Sequence, residues 1–400
     1  MRHVLTIVLV LLVVVPVLAA PDVHSPEPRD SVRTVTLEEQ WRVGGDLDEN
    51  HMFGVMIDAR SDPAGNVYLL DQQLCTVMVI GPDGRDVALL GGEGDGPGEC
   101  RMPQTMALFD DGTVGLGQRF PGRFVRVDLQ NEPHPSIDLG GPDSVREGFT
   151  MLVSARNRGG TLLATSLHQM PGENGQSRDS FLWGLDAEGR IVTEFATAST
   201  YLDFQKAHFV ETEMVAPFFN AHAVGPDGGV YFTPDRDQYR VAVHEANGTL
   251  RHHITRPFDN PRRDQQTMDR MDALFAEQDR QLSFRITWEV SEVDPAVTGL
   301  HVTDDNRLLV SHARSGSDLP DGVFTSYDVF DAAGHWQHAL HVRCEASADH
   351  DGLIWLDDGR VLLVKGLQLA RLTASGNGGS VTDEDDGAWA IEVICCRVSG

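Results

Sequence analysis

The side chains in this sequence best suited to chemistry are a few imidazoles, one carboxylate and a group of guanidiniums, all set near apolar runs. His222 lies in Ala221-His222-Ala223-Val224 and His301 in Gly299-Leu300-His301-Val302, with His208 upstream of both. A neutral imidazole can ligate a metal or carry a proton. Asp58, in Met56-Ile57-Asp58-Ala59, offers an oxygen ligand of the kind calcium takes. Arg60 with Arg119, Arg123 and Arg126 forms the densest basic set, a candidate spot for an anion. His222 sits six places before Gly228, and the residues so placed before other Gly or Asn turns are Ala59, Met106, Leu300 and Leu353, which read as core. His222 is therefore read as a buried, hydrogen-bonded core histidine. His301 falls one place later in its own unit, so the two imidazoles are expected on opposite faces of their strands. Asp58 has Thr105, Ala221, Gly299 and Gly352 as equivalents, which leaves a single carboxylate, with Asn220 one residue away from the ring. The candidate ligand-binding residues are Asp58, Arg60, His222 and His301; no catalytic or metal-ligating residue is assigned.

Other patterns are weaker. Gly91-Gly92-Glu93-Gly94-Asp95-Gly96-Pro97-Gly98 could pass for a phosphate cradle, but no Gly-Lys-Ser/Thr follows and Pro97 and Pro103 forbid a helix there. No G-x-S-x-G elbow occurs. Of five cysteines, Cys75 and Cys100 flank the last two strands of one unit and are expected to form a disulfide. Cys344 could bridge to Cys395 or Cys396, leaving one thiol odd.

The elements that must position these residues repeat. Gly65-Asn66-Val67-Tyr68-Leu69-Leu70-Asp71 leads to Val77-Met78-Val79-Ile80 and Gly81-Pro82-Asp83-Gly84. Asp110-Asp111-Gly112-Thr113-Val114, Asp227-Gly228-Gly229-Val230-Tyr231-Phe232 and Asp304-Asp305-Asn306-Arg307-Leu308-Leu309 repeat the turn and the strand after it. Turn centres also fall at Gly159-Gly160 and Gly359, which makes six units of about 50 residues, the size and texture of propeller blades. The Asp-Gly and Asn-Gly pairs suggest type I′ hairpins. The strand predicted over 32–43 has no unit of its own and is expected to complete the blade containing 389–396, leaving no free edge. Insertions fall at 192–219 and 258–284. In the second, 262–281 is polar, free of Gly and Pro, and carries Met268, Met271, Leu274 and Phe275 on one face, with Phe284 and Trp288 nearby; a helix is expected there, lying over one opening of the ring.

At Gly91 to Cys100 the sequence resembles the G-x-x-G-x-G-P-G-E-F linker between blades of bacterial exported six-bladed propellers, a group related to NHL-repeat proteins, with Cys100 in place of the usual Phe. Asp62 to Asp71 is similar to their D-x-x-G-N-V-Y-L-L-D strand, and Trp41-Arg42-Val43-Gly44-Gly45 to their opening. The resemblance is strongest over 55–128. It implies a fold and no reaction. Through amidating lyases of NHL type it brings in zinc held by channel histidines, and through gluconolactonase-like and paraoxonase-like propellers a channel calcium.

Residues 1–20 have a basic start, an apolar run from Val4 to Val15, and Val17-Leu18-Ala19-Ala20 before a cleavage point, the layout of a secretory signal. The formal net charge of −28, with Lys206 and Lys365 the two lysines among 32 basic residues, argues against nucleic-acid partners. No further segment is apolar enough for a membrane helix. The sequence thus predicts an all-β chain: a signal peptide at 1–20, a linker at 21–31, and over 32–400 a six-bladed β-propeller with four-stranded blades and a helical insertion. It is expected to be a secreted or periplasmic monomer, a binding module with no cofactor assigned. The runner-up is a hydrolase or lyase dependent on Ca or Zn, with its site at the central channel.

Overall fold

The computed structural model describes residues 21–48, 50–142, 148–280, 286–374 and 390–400. The expected signal segment, Phe284 and the first residue of the 389–396 strand lie outside them. The architecture is all-β and propeller-like. Four sheets of consecutive antiparallel strands follow one another, spanning 56–91, 103–138, 149–203 and 222–255. An eight-stranded sheet holds the strands from 297 to 399 together with Arg33–Gly44. The strands nearest the axis are Met56–Ser61, Pro103–Leu108, Phe149–Arg158, His222–Val224, Val297–Val302 and Gly352–Trp355.

Packing explains the order. Each large apolar cluster draws on two successive sheets. Tyr68, Leu70 and Val77 of the first sheet meet Met106, Leu116 and Val125 of the second, and Leu163 and Leu182 of the third meet Val230 and Phe232 of the fourth. Met56, Val67 and Leu69 pack against Trp41, Leu362, Val364 and Val393 of the eight-stranded sheet, so the last sheet returns to the first. Strands covered on both faces need no polar alternation.

Arg33–Gly44 pairs antiparallel with Glu392–Ser399 from Thr36↔Ser399 to Gly44↔Glu392. Its first residues run parallel to Trp336–Arg343 instead, from Arg33↔Leu340 to Thr36↔Arg343. One strand therefore joins both halves of the eight-stranded sheet. Within the stretch read as a linker, Asp22–His24 adds as a parallel edge strand to Leu250–Thr255.

The turns differ from expectation. At Asp62–Asn66 the Gly65 N–H donates to Asp62 O at 3.0 Å and Asp62 N–H to Asn66 O at 3.1 Å, and only Gly65 has positive φ, +84°. This is a three-residue loop closed by one left-handed residue, not a type I′ turn. Asn306 takes that place at φ +59°, as Asn tolerates. The two-residue form occurs at Gly159-Gly160, where both φ are positive and Arg158 faces Thr161.

The two insertions are knitted together. His208–Val210 and Thr287–Glu289 form a two-stranded parallel ribbon. The helix expected over 262–281 is Gln265–Arg280, begun by Asp264, whose Oδ1 accepts the Thr267 N–H at 2.8 Å. Phe275 stacks on Trp288 at 4.2 Å, a contact made within the insertion. A helix at Leu367–Ala374 was not expected; Leu367 and Ala370 bury into the closing core.

The Cys75–Cys100 bridge is not formed, and all five cysteines are free thiols. The two residues do share one buried cluster. Cys75 sits at φ +55° with Sγ toward Gln72 O at 3.4 Å, and Cys100 Sγ points to Cys75 O at 3.9 Å, so each sulfur faces a carbonyl. Burial pushes the Cys100 thiol up to about 12. Cys344 packs beside Cys396, also without a bridge.

Candidate functional site

Five inner strands bring polar side chains to the ring's centre. Arg60 extends from Met56–Ser61, and its Nη2 donates to Ala155 O of the third sheet at 3.1 Å. Its Nη1 pairs with Asp58 and donates to Ala59 O at 2.8 Å. Ser154, Arg156 and Arg158 alternate along Phe149–Arg158 and so share a face. Arg156 Nη2 donates to Asp357 Oδ1 at 2.6 Å, while Arg158 pairs with Asp304 and donates to Val224 O at 3.3 Å. The cluster thus crosses from sheet to sheet over the axis.

Asp58 is not an open ligand. Besides Arg60, its Oδ2 accepts from Thr105 Oγ1 and Met106 N, both at 3.1 Å, and this ties the first two inner strands together. His222 Nδ1 lies 2.8 Å from Phe218 O and its Nε2 lies 3.0 Å from Ser154 Oγ. The carbonyl can only accept, so Nδ1 carries the proton and Nε2 accepts from the serine. Ser154 Oγ also meets Thr165 Oγ1 at 2.7 Å. His301 stacks on Trp355 at 5.8 Å between ring centroids, and its buried Nε2 has no hydrogen-bond partner among the described residues. The Arg60 Nε is likewise buried and unpartnered.

His222 and His301, expected on opposite faces, border one cavity of about 90 Å³ with Arg60, Ser154, Arg156 and Arg158. An inner strand presents its edge to the axis, so residues from both of its faces flank the channel; the one-place offset does not separate them. A larger cavity of about 740 Å³ lies among the first-hairpin turns, walled by Tyr68, Leu108 and Phe109. Arg60 and Arg158 line both cavities and so stand at the boundary between them. In an up-and-down sheet these turns lie opposite the connections that carry the Gln265–Arg280 and Leu367–Ala374 helices. The expected lid is therefore on the other side of the ring from the larger cavity.

Electrostatics set what the arrangement can do. Burial, then the Arg156 and Arg60 guanidiniums, push His222 down to about 4. Burial with Arg156, Arg158 and Arg60 brings His301 to about 3. Burial and Arg156 also lower Arg60. Asp357 is held low by Arg156, Arg158 and Arg60 although its burial pushes the other way. The field at both imidazoles is thus positive. Ser154 and His222 have the spacing of a nucleophile and its base, but an imidazole so hard to protonate is a poor proton acceptor at neutral pH. A cation fits no better. Asp58 is engaged, guanidiniums face both imidazoles, and among the described residues no group of three or more His, Cys, Asp or Glu side chains is placed to hold a metal. The donor set does not suit a channel calcium or zinc.

Other expected members lie elsewhere. His208 is in the ribbon, 3.1 Å from Thr287 Oγ1. Asn220 is exposed. Arg126 pairs with Asp111 and Thr113 and lies over the Phe109 ring at 5.0 Å, so it does not join Arg60. Ser154, Arg156, Arg158 and Asp357 were missed. The signal for Arg156 and Arg158 was present: charges at alternate positions of a strand running into Gly159-Gly160.

No family model matches this chain, and no curated protein matches it. Solved structures do. A Bacteroides fragilis protein whose name marks it as a candidate for export is 10% identical, with 92% of this chain and 100% of that chain covered and a TM-score of 0.48. A member of the DUF4221 family from Bacteroides vulgatus is 9% identical over 92% and 99% of the two chains, TM-score 0.46. Regucalcin from Agrobacterium tumefaciens, a calcium-binding protein, is 12% identical over 91% and 96%, TM-score 0.40. Likenesses at this level carry no argument about activity, and the fold description rests on the strand pairing itself.

Proposed function

We propose that this chain is an exported six-bladed β-propeller that serves as a binding module, taking a small organic ligand into the channel mouth among its first-hairpin turns. The blade count follows from dividing the eight-stranded sheet into Val297–Val302, Leu308–His312, Val323–Phe330 and Trp336–Arg343, and a second group of Gly352–Trp355, Val361–Lys365, Glu392–Ser399 and Arg33–Gly44. The two groups pack face to face, with His301 and Tyr327 of the first against Trp355 of the second at 5.8 and 5.6 Å between ring centroids. Export rests on the basic and apolar layout of residues 1–20. Among the described residues no helix is long and apolar enough to cross a membrane.

The observation that carries the binding reading is the cavity of about 740 Å³, with an apolar wall at Tyr68, Leu108 and Phe109 and a polar floor at Arg60, Asn157 and Arg158. Asp62, Asp110, Asp304, Asp357 and Asp358 also border it, and pockets of this size that set an apolar wall against placed polar groups bind small molecules. The test is a thermal-shift screen of small organic compounds on the native protein and on Ala64→Trp, which places an indole at an exposed turn position of the mouth. Compounds that raise the native Tm should lose that effect in the variant while its unliganded Tm stays within about 2 °C, roughly 1 kcal/mol for a chain of this length. Stabilisation that persists in Ala64→Trp would place binding elsewhere.

A further inference from the structure

We propose that the group this channel anchors is a carboxylate, buried in the small cavity between His222 and His301, with the organic body of the ligand lying in the larger cavity outside. This rests on the binding reading above and adds the chemistry of the ligand.

The first argument is unmet hydrogen bonding. Arg60 Nε and His301 Nε2 are both buried, both without a partner among the described residues, and both belong to side chains that line the same cavity. Buried polar atoms in proteins are nearly always paired, and an orphan at a concave site points to a missing partner. Among the described residues no hydrogen bond fixes the His301 Nε2 as an acceptor, so it can carry the proton and donate. Two orphan donors on side chains that border one small space call for an acceptor there.

The second argument is charge. Arg60, Arg156 and Arg158 all line the cavity, and Arg156 and Arg158 share Asp357. Ser154 donates its hydrogen to His222 and accepts from Thr165 Oγ1. Anions are held well where guanidiniums are pre-placed and water is excluded. Each guanidinium also has a carboxylate partner, Asp58 for Arg60, Asp357 for Arg156 and Asp304 for Arg158, and at the rim Asp358 is paired with Arg360 and Asp62 is bonded to Asn66 and Tyr68, so an incoming carboxylate adds to paired guanidiniums.

The third argument is size. A cavity of about 90 Å³ holds roughly three waters at about 30 Å³ each. That admits a carboxylate and excludes an aromatic ring. The ring has its place beyond Arg60 and Arg158, against Tyr68 and Phe109.

The experiment is titration calorimetry at pH 7 with phenylacetate, its neutral isostere phenylacetamide, acetate and inorganic phosphate. Phenylacetate should bind at least tenfold more tightly than phenylacetamide or acetate. His301→Leu removes one orphan donor and leaves no charge unpaired; it should cost phenylacetate about tenfold and phenylacetamide less than twofold. Arg156→Gln should do the same, and circular dichroism and Tm show that either variant is folded. Equal affinity for phenylacetate and phenylacetamide would overturn the carboxylate anchor while leaving the binding reading intact. Phosphate binding more tightly than phenylacetate would overturn it in favour of a free oxyanion site. No heat from any of the four would overturn both.

Discussion

Tyr239 Oη donates a 2.7 Å hydrogen bond to the Asp328 carboxylate, 89 residues further along the chain and in the next sheet. Asp328 is 2% exposed. Arg256 reaches the same oxygen through Nε at 2.8 Å and Nη2 at 2.7 Å, and its guanidinium lies 4.3 Å from the Tyr239 ring centroid and 4.6 Å from that of Trp336. The network spans the boundary between the fourth sheet and the eight-stranded one. Asp328→Asn leaves a buried guanidinium without its counter-charge and is expected to cost about 3–5 kcal/mol. Tyr239→Phe removes one hydrogen bond and should cost about 1–2 kcal/mol. Urea midpoints of the two variants check the order.

Ring closure gives a second prediction. Trp41 and Val43 of Arg33–Gly44 are buried in the core shared with the first sheet. Residues 21–32 contribute a three-residue edge at Asp22–His24 and a few backbone bonds from Ser25, Arg29 and Asp30 to strands already paired. A chain starting at residue 33 should fold with a Tm close to the parent's. One starting at residue 45 bares the Glu392–Ser399 edge and should aggregate or fail to fold. Size exclusion and circular dichroism on both truncations decide. Gly84→Ala is a milder probe: Gly84 has φ +80°, and a Cβ there would lie 2.7 Å from Trp41 Cβ. About 1–3 kcal/mol is expected.

Stability should depend on pH in two opposed ways. His222 and His301, pushed down to about 4 and about 3, take up protons more readily in the unfolded chain. Their contribution is complete above about 6.5 and is lost as pH falls through the range between 6.5 and those values, by up to about 3 kcal/mol for His222. His51 runs the other way. Burial opposes its charge, but Asp86 and Asp48, each at 2.6 Å, raise its pKa, so its contribution is present below about 6.5 and is lost as pH rises through the raised value. Urea titrations from pH 4 to 8 should show a shallower acid limb in His301→Leu and a shallower upper limb in His51→Gln.

The thiols offer a direct check. With all five cysteines free, unreduced protein unfolded in guanidinium should release five thiols to a chromogenic disulfide reagent. In the native state the buried Cys100, raised to about 12, should react slowly. A count of three would contradict the free-thiol arrangement at one pair.

Much of the fold was legible because turns and strands are local. Gly65, Gly112, Gly228, Asn306 and Gly359 all mark inner hairpins, since each place demands positive φ. The pairing of Arg33–Gly44 with Glu392–Ser399 followed from leaving no edge open, but its second partnership with Trp336–Arg343 had no sequence signal. The site was legible only in part. Arg60 and the two histidines were visible one strand at a time, whereas their meeting depends on how the inner strands are arranged around the axis. The period-two reading assumed that a strand shows one face to the channel; at the axis it shows an edge. Arg156 and Arg158 were passed over because Gly159-Gly160 was read for its turn and not for the strand entering it. Cys75 and Cys100 were placed correctly in one buried cluster, yet they are thiols there.

The most direct measurement is a crystal soaked with 4-bromophenylacetate, with the bromine located by its anomalous signal. The account predicts bromine in the larger cavity near Tyr68 and Phe109, and the carboxylate beyond Arg60 within hydrogen-bond distance of Arg60 Nε and His301 Nε2. Bromine at another surface, or a carboxylate turned outward from the ring's centre, would contradict it.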